Sequence, residues 1–491
     1  PDPRYVGEGW REQWLGRLEE LEPFIHSWLE HPLRDEYWRR DSVREDYGAI
    51  RAAVLAVGGW HDPRRDAVLR LVEHLGALGT PVRGIIGAWV HQYPDQEVPP
   101  GPGVGFLQET LRWWDQWLKG EEREVLRDPA LRSWIRASIP RAAMRPNAPG
   151  RWVGDGSWPS PQVAMTEIGL AHPAAAADAG LLPVRTPQQA GVDAGSYAPV
   201  GDPGDLPPDQ RAEDGRSLCF DTVPLAGPLE ILGRARLRLR LNCPSRRATV
   251  IARLCDVAPD GTSTLVTRGA LNLLVREGAD RATPWPAGES GEIEFELGAA
   301  GYAFQTGHRL RVALSSAYWP WIWPHPEGAG FDVDAARSVL YLPVRDPAKD
   351  GEGPPVYFAR PEQAAPLEVR ALEKGESGRP GRAVAEDVAA GLWAIDVDPG
   401  RGGSLAYPDG LEITEFGRDR YWIQEADPLA ARARSDWRLR LRRSEPGWDV
   451  RVITVSETGC TATAFVVENG VKCYDGGELV FERTWRKEIP R

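Results

Sequence analysis

The sequence predicts two structural classes in one chain, α/β near the amino terminus and all-β over most of the remainder. An apolar run at residues 53–60, a helical repeat at 65–78 and a second apolar run at 82–89 form the pattern of a β-α-β unit. From about residue 126 the chain changes to short segments in which apolar and polar residues alternate between Pro, Gly and Asp. At 491 residues the chain is longer than one hydrophobic core usually supports, so we expect two to four domains.

Residues 1–48 have a helical pattern and contribute no strand. Trp10, Trp14 and Leu18 recur at helical spacing and share one face. Because this segment precedes the β-α-β unit, we interpret it as the end of a helical cap above a sheet.

Residues 49–125 complete the α/β part. A Pro/Gly-rich loop follows the second apolar run, and a helix over residues 106–118 then places its apolar residues on one side and ends near Gly120.

Residues 126–345 predict a two-sheet sandwich of the jelly-roll type, because regularly spaced alternating strands are typical of that architecture. Residues 173–208, rich in Ala, Pro and Gly, are expected to cross the sandwich in an extended form. Residues 346–491 alternate again and predict a β-rich carboxyl-terminal extension. The alternating segments of the sandwich are 131–136, 237–241, 250–254, 292–297 and 310–314.

Composition excludes several classes of function. A formal charge of -12, with arginines scattered along the chain, leaves no basic surface for a nucleic acid. No apolar run reaches the length of a membrane span. The compartment stays open, with the cytoplasm favoured. The five cysteines lack metal-ligand spacing and are interpreted as buried thiols. We expect no metal or organic cofactor, and the oligomeric state stays open.

Asp62 and His91 are the candidate site residues. Each follows an apolar run of the β-α-β unit, and the ends of parallel strands meet at one edge of a sheet. An aspartate followed by a histidine in this order matches the last two members of a Ser-Asp-His relay in the α/β-hydrolase arrangement. In that relay the imidazole takes the serine proton, and the carboxylate fixes its tautomer and stabilises its charge.

No serine before Asp62 is a credible nucleophile. Ser27 lies in a helical pattern, and Ser42 lacks the flanking glycines of a strand-to-helix elbow. Since the chain also begins at Pro1, we expect the nucleophile to be missing from it and the chain alone to be inactive.

Two alternatives remain open. At the residue level, Asp62 could cap the following helix while His91 is an ordinary loop residue. At the level of the whole protein, the chain could be a non-catalytic, multi-domain β protein that binds carbohydrate or a protein partner. The aromatic segment at 318–325 could then present rings to a glycan, although its flanking prolines favour a role in sealing an interface. His308 is interpreted as a hydrogen-bonded structural residue.

The sequence around both site residues resembles the cocaine-esterase/X-Pro dipeptidyl-peptidase family of serine hydrolases. The resemblance begins with Val57-Gly-Gly-Trp-His-Asp62 and Gly87-Ala-Trp-Val-His91, and it keeps its order from about residue 24 to 345. Departures are His61 before the aspartate and Gly87-Ala-Trp89 before the histidine, neither of which removes a proton-transfer group. Further similar segments lie at 31–38, 112–120, 209–220 and 307–310.

The resemblance implies an incomplete α/β-hydrolase domain with a helical cap remnant, followed by the jelly roll and the extension. It implies hydrolysis of a small peptide, of the X-Pro dipeptidyl-peptidase type, or of an acyl ester, through an acyl-serine intermediate. It also implies that Asp62 and His91 are catalytic and that the nucleophile and its oxyanion-stabilising groups lie upstream. Without the early strands of the sheet, we expect the faces of Trp60 and Trp89 to be exposed and the chain to aggregate unless a partner segment covers the open edge.

Overall fold

The computed structural model divides the chain into two compact units. One unit is Asp35–Gln363, and the other combines Pro1–Arg34 with Ala364–Arg491. The four-part division drawn from the sequence, at residues 48, 125 and 345, stays a prediction. The residues that the structure describes are 1–139, 148–170, 180–352, 355–374, 381–400 and 403–491.

The described helices and strands follow the predicted order of classes, helical and α/β first and β-rich afterwards. The helices are α1 (Pro3–Val6), α2 (Trp10–Glu19), α3 (Phe24–Glu30), α4 (Glu36–Arg39), α5 (Arg65–Ala77), α6 (Phe106–Lys119) and α7 (Arg211–Asp214). The strands of the larger unit are β1 (Val54–Gly59), β2 (Val82–Gly87), β3 (Leu131–Ala137), β4 (Gly150–Asp155), β5 (Val163–Gly169), β6 (Leu182–Val184), β7 (Leu218–Asp221), β8 (Leu229–Gly233), β9 (Arg236–Asn242), β10 (Thr249–Val257), β11 (Ser263–Asn272), β12 (Ser290–Glu296), β13 (Ala300–Phe304), β14 (Arg309–Ser315) and β15 (Phe331–Arg345). The other unit contains β16 (Arg370–Lys374), β17 (Gly381–Asp387), β18 (Leu392–Asp398), β19 (Gly403–Ala406), β20 (Leu411–Gln424), β21 (Asp427–Arg443), β22 (Trp448–Cys460), β23 (Ala464–Asp475) and β24 (Glu478–Pro490).

The β-α-β unit is formed by β1, α5 and β2. The two strands are parallel and in register over their whole length, from Val54 opposite Val82 to Gly59 opposite Gly87. Helix α5 covers the sheet with a buried apolar face that includes Val72. A Cβ on Gly84 would lie 2.7 Å from Val72 Cγ2, so the glycine lets the helix approach the sheet closely.

Strand β3 joins the parallel sheet to the sandwich. Its alternation assigned it to the sandwich, but it pairs in parallel both with β2, Leu131 opposite Gly84, and with β13, Arg136 opposite Tyr302. One continuous sheet therefore runs in the order β1-β2-β3-β13-β8-β15-β9-β12.

The second sheet of the sandwich has the order β11-β10-β14-β7. Alternate residues of the strands point between the two sheets and form a hydrophobic core, as Leu237, Leu239 and Leu241 of β9 do. The predicted fold class, α/β plus all-β with a sandwich and a β-rich extension, is confirmed.

The other unit is built on an antiparallel sheet in which β20 to β24 are successive neighbours. Helix α2, interpreted above as part of a helical cap, packs on this sheet through Leu18, which contacts Val471 and Cys473. At the chain's start Asp2 pairs with Arg443 at 2.8 Å. The sequence pattern predicted neither contact.

The expectation that Trp60 and Trp89 are exposed is wrong, since each is only 3% exposed. Each indole N–H donates a 2.6 Å hydrogen bond to a backbone carbonyl, of Trp134 and Pro102 respectively. An exposed apolar surface lies on the outer side of α6. Its outer residues and their exposed fractions are Leu107 (49%), Leu111 (57%), Trp114 (50%) and Leu118 (75%).

All five cysteines are free thiols, four of them buried and Cys219 partly so. Burial raises the pKa of Cys219 and of Cys255 to about 12. Thiols with such values are protonated at neutral pH and are poor nucleophiles.

Candidate active site

Asp62 and His91 meet at the carboxyl-terminal edge of β1 and β2. His91 Nδ1 lies 2.7 Å from Asp62 Oδ2. The aspartate side chain is 12% exposed and the histidine side chain 50% exposed. Because a carboxylate can only accept, Nδ1 carries the hydrogen, and Nε2 keeps a lone pair that can accept a proton.

The turn after β1 fixes the position of the carboxylate. Asp62 Oδ1 accepts a 2.7 Å hydrogen bond from the backbone N–H of Arg64, at the start of α5. The helix-capping interpretation is wrong, because the N-cap residue of α5 is Arg64 and no side chain caps the helix. One oxygen of Asp62 holds the turn before the helix, and the other contacts the imidazole. This second bond limits rotation of the carboxylate about its own axis.

The backbone of His91 is held from the sandwich side. Its N–H donates to the carbonyl of Pro199 at 2.8 Å. Pro199 belongs to the segment expected to cross the sandwich in an extended form, part of which lies outside the described residues. No local signal in the sequence marks Pro199 as a neighbour of His91, because the bond joins distant parts of the chain.

A cavity of about 300 Å³ lies against the pair. Its wall is mainly apolar and aromatic, with the glycines of β1 on one side, and among the described residues that form it there is no serine. The lining residues are Val57, Gly58, Gly59, Asp62, Trp89, Val90, His91, Gln92, Tyr93, Pro94 and Phe106.

A second cluster of the same residue types, inside the sandwich, is not arranged as a relay. His308 Nδ1 lies 2.8 Å from Asp256 Oδ1, and Ser138 Oγ approaches the same nitrogen at 3.5 Å while donating to Asp256. A relay needs the carboxylate and the hydroxyl on opposite nitrogens of the ring. With Tyr302 also donating to Asp256, the cluster is a buried hydrogen-bond network, and His308 has the structural place predicted for it.

The aromatic segment at 318–325 does not form an exposed platform. Tyr318 and Trp319 are 2% and 1% exposed. Trp321 donates from its indole nitrogen to the carbonyl of Gly195 and covers the guanidinium of Arg268. Since the rings pack inward, the sealing interpretation fits this segment, and no observation favours the glycan-binding alternative.

The described part of the chain contains no group of three or more His, Cys, Asp or Glu side chains placed to hold a metal ion. Within the same residues, every helix is too short or too polar to cross a bilayer.

Two family profiles match the sequence. Residues 3–93, which include Asp62 and His91, match X-Pro dipeptidyl-peptidase of the S15 family. Residues 124–356 match the C-terminal non-catalytic domain of X-Pro dipeptidyl-peptidase.

Among curated proteins, the chain is similar to cocaine esterase of a Rhodococcus species, with 26% identity over 333 residues that cover 62% of this chain and 55% of the esterase. The chain spans about half the length of the curated relatives that it matches. Among solved structures, it resembles an aminopeptidase from a marine-sediment member of the Thaumarchaeota, with a TM-score of 0.53 and 19% identity over 66% of this chain and 60% of that one. At 19% identity, this structural similarity shows a shared fold and nothing about activity.

Proposed function

The chain belongs to the cocaine-esterase/X-Pro dipeptidyl-peptidase family, and on that premise we propose that it carries the aspartate and histidine of a serine hydrolase active site. The observation that supports this most directly is the 2.7 Å contact between His91 Nδ1 and a carboxylate that is almost fully buried. A carboxylate in this position selects one tautomer of the imidazole and stabilises the positive charge that it acquires.

In this proposal His91 is the general base. Nε2 takes the proton of a serine hydroxyl as the serine oxygen bonds to the carbonyl carbon of the substrate. His91 then returns the proton to the leaving alcohol or amine as that bond breaks, which leaves an acyl-serine. A water molecule repeats the sequence, so that the acid is released and the serine hydroxyl is restored.

We propose that the serine comes from polypeptide outside these 491 residues. Ser42 is used locally, because its hydroxyl accepts from the backbone N–H of Arg44 at the start of a short turn. Ser27 lies within the helix α3 and not on a sharp strand-to-helix turn of the kind that exposes a nucleophile. By this proposal the chain alone does not hydrolyse its substrates.

The proposed substrate is a small acyl ester or the amide of a short peptide. The cavity beside His91, at about 300 Å³, has the size of a pocket for a small ligand. Tyr93 and Phe106, whose rings lie 5.9 Å apart, give it an aromatic wall that suits an apolar acyl group or side chain.

Labelling with a fluorophosphonate tests the proposal, since the reagent modifies only an activated serine. A longer product of the gene that carries a candidate serine should label, and its His91→Ala variant should lose labelling. His74→Ala is the matched control, because His74 is an exposed histidine of α5. Undiminished labelling of the His91→Ala protein would contradict the role of His91, and labelling of the 491-residue chain alone would contradict an external serine.

A further inference from the structure

A second cavity, of about 280 Å³, lies in the larger unit between the turn after β1 and the sandwich. Trp60 and Pro63 form its wall on the β1 side, and residues of β11 and of the aromatic segment at 318–325 form the opposite wall. The proposed hydrolysis does not use this cavity.

Two arginines, Arg65 and Arg268, line this cavity without a carboxylate partner. Among the described residues, no Asp or Glu oxygen lies within 4.0 Å of either guanidinium. Arg268 donates to the carbonyl of Ala194 at 2.7 Å and to the hydroxyl of Tyr318 at 2.9 Å. Arg65 makes one long contact, 3.5 Å, with the carbonyl of Asp62, and its buried Nε has no hydrogen-bond partner.

Burial destabilises the charged form of both guanidinium groups. Burial lowers the pKa of Arg65 and outweighs the opposite effect of the nearby Asp66 and Asp62 charges. Burial also lowers the pKa of Arg268, and the charge of Arg65 adds to that lowering. Elsewhere in this unit a half-buried arginine is neutralised, as Arg311 is by Asp221 at 2.7 Å. Two like charges in one cavity are stabilised when an anion enters between them.

The carboxylate of Asp205 also lines the cavity, but it already accepts hydrogen bonds from its own loop. Asp205 Oδ1 accepts from the hydroxyl of Ser196 at 2.6 Å. Its Oδ2 accepts from the backbone N–H groups of Val200, Gly201 and Asp202. Four hydrogen bonds within its own loop account for this carboxylate, so it is not a counter-ion for the two arginines.

The aromatic and aliphatic residues of the cavity wall determine which uncharged group of a ligand fits there. The ring of Trp321 lies 3.3 Å from the guanidinium carbon of Arg268, and the ring of Tyr197 meets Trp321 edge to face at 5.1 Å. Leu206 and Ile251 add aliphatic surface. Flat rings and aliphatic carbons favour a planar apolar group, whereas a fully hydrated inorganic ion would leave them unused.

We propose that this cavity is a binding site for a small aromatic carboxylate, whose anionic group lies between Arg65 and Arg268 and whose ring packs against Trp321. The carboxylate would accept hydrogen bonds from both guanidiniums and neutralise their charge. The site is made of residues in this chain alone, so the proposal does not depend on hydrolysis.

Isothermal titration calorimetry of the 491-residue chain with benzoate, benzamide and acetate tests the site. Benzoate should bind about tenfold or more tightly than benzamide, its neutral counterpart, because charged hydrogen bonds are the stronger ones. It should also bind more tightly than acetate, which lacks the ring. Equal affinity for benzoate and benzamide would overturn the anionic site, and equal affinity for benzoate and acetate would overturn the aromatic part.

Substitutions of the two arginines test whether benzoate binds in this cavity. Arg65→Gln and Arg268→Gln should each weaken benzoate binding by about tenfold, since each removes one charged donor. Arg337→Gln is the control, because Arg337 has an exposed side chain outside the cavity wall. Thermal melting identifies any variant that does not fold, and Arg65→Gln decides the outcome if Arg268→Gln fails to do so. Unchanged affinity in a folded Arg65→Gln protein would overturn the proposal.

Discussion

Gly59, the last residue of β1, lies so close to the backbone of Trp89 that a Cβ on the glycine would be 2.1 Å from the Trp89 carbonyl oxygen. The two backbones meet just before the residues that carry the candidate site, Asp62 and His91. Their close approach sets the separation of the strand ends and thereby supports the 2.7 Å contact between the two side chains.

Gly59→Ala is therefore expected to destabilise the larger unit. The added methyl group meets a backbone oxygen, which cannot rotate away as a side chain can, and overpacking of this kind costs roughly 1–3 kcal/mol. Denaturant unfolding measures the loss. Gly76→Ala is a control of opposite sign, because its nearest neighbour would be 4.0 Å away and alanine favours a helix by up to about 1 kcal/mol over glycine. Identical unfolding midpoints for Gly59→Ala and the unmodified chain would contradict the account.

Asp62→Asn is expected to abolish most activity in a protein that carries its serine. The amide keeps the shape of the carboxylate but offers a donor to His91 Nδ1, which favours the tautomer whose Nε2 already holds a hydrogen. By analogy with other relays, kcat should fall by roughly 10⁴ while folding is preserved. Steady-state kinetics and a thermal melt separate the two effects, and a fall of less than about tenfold in kcat would refute the orienting role.

Asp155→Asn is expected to stabilise the larger unit at neutral pH. Burial raises the pKa of Asp155, which is 1% exposed at the end of β4. A carboxyl whose folded-state pKa exceeds its unfolded-state pKa favours folding when protonated, and this contribution is lost as the pH rises through the folded-state value. The asparagine variant should therefore melt higher at neutral pH, and its advantage should shrink towards about pH 4, where aspartate is protonated in the unfolded chain as well.

Thermal melts across that pH range check this result. Asp41→Asn provides the control, because the side chain of Asp41 is 79% exposed and its neutralisation should leave the pH dependence unchanged. A lower melting temperature for Asp155→Asn at neutral pH would count against the proposed cost of the buried charge.

The outer face of α6 is expected to drive self-association. Leu111 and Trp114 are 57% and 50% exposed on the same side of the helix, and contiguous apolar surface of this kind promotes association in water. The Leu111→Gln/Trp114→Gln variant should remain monomeric at concentrations at which the unmodified chain associates, as measured by light scattering after size-exclusion chromatography. Equal association of the two proteins would show that another surface is responsible.

The β-α-β unit could be predicted from the sequence to within two residues at each boundary. Its two strands and its helix each have a strong period, and the turn residues between them are distinct. The same pattern placed Asp62 and His91 at one sheet edge, because parallel pairing follows from the crossover connection. The catalytic assignment of the pair stays a prediction.

Contacts between distant parts of the chain could not be predicted. The carbonyl of Pro199, which holds the backbone of His91, carries no side-chain signature. The burial of Trp60 depends on the carbonyl of Trp134, and the place of Leu18 depends on strands at the other end of the chain. Periodicity shows which face of an element is apolar, but it does not show which partner covers that face.

The double pairing of β3 has a consequence for engineering. The strand is shared, since one of its edges pairs with β4 and the other pairs with β2 at its start and with β13 at its end. In a chimera that exchanges sandwiches between relatives, the designer must choose which parent supplies β3. A recombination point in the loop before β3 would pair β2 of one parent with β3 of the other. A recombination point after β4, which pairs with β3 along most of its length, keeps the β2–β3 and β3–β4 ladders of one parent intact.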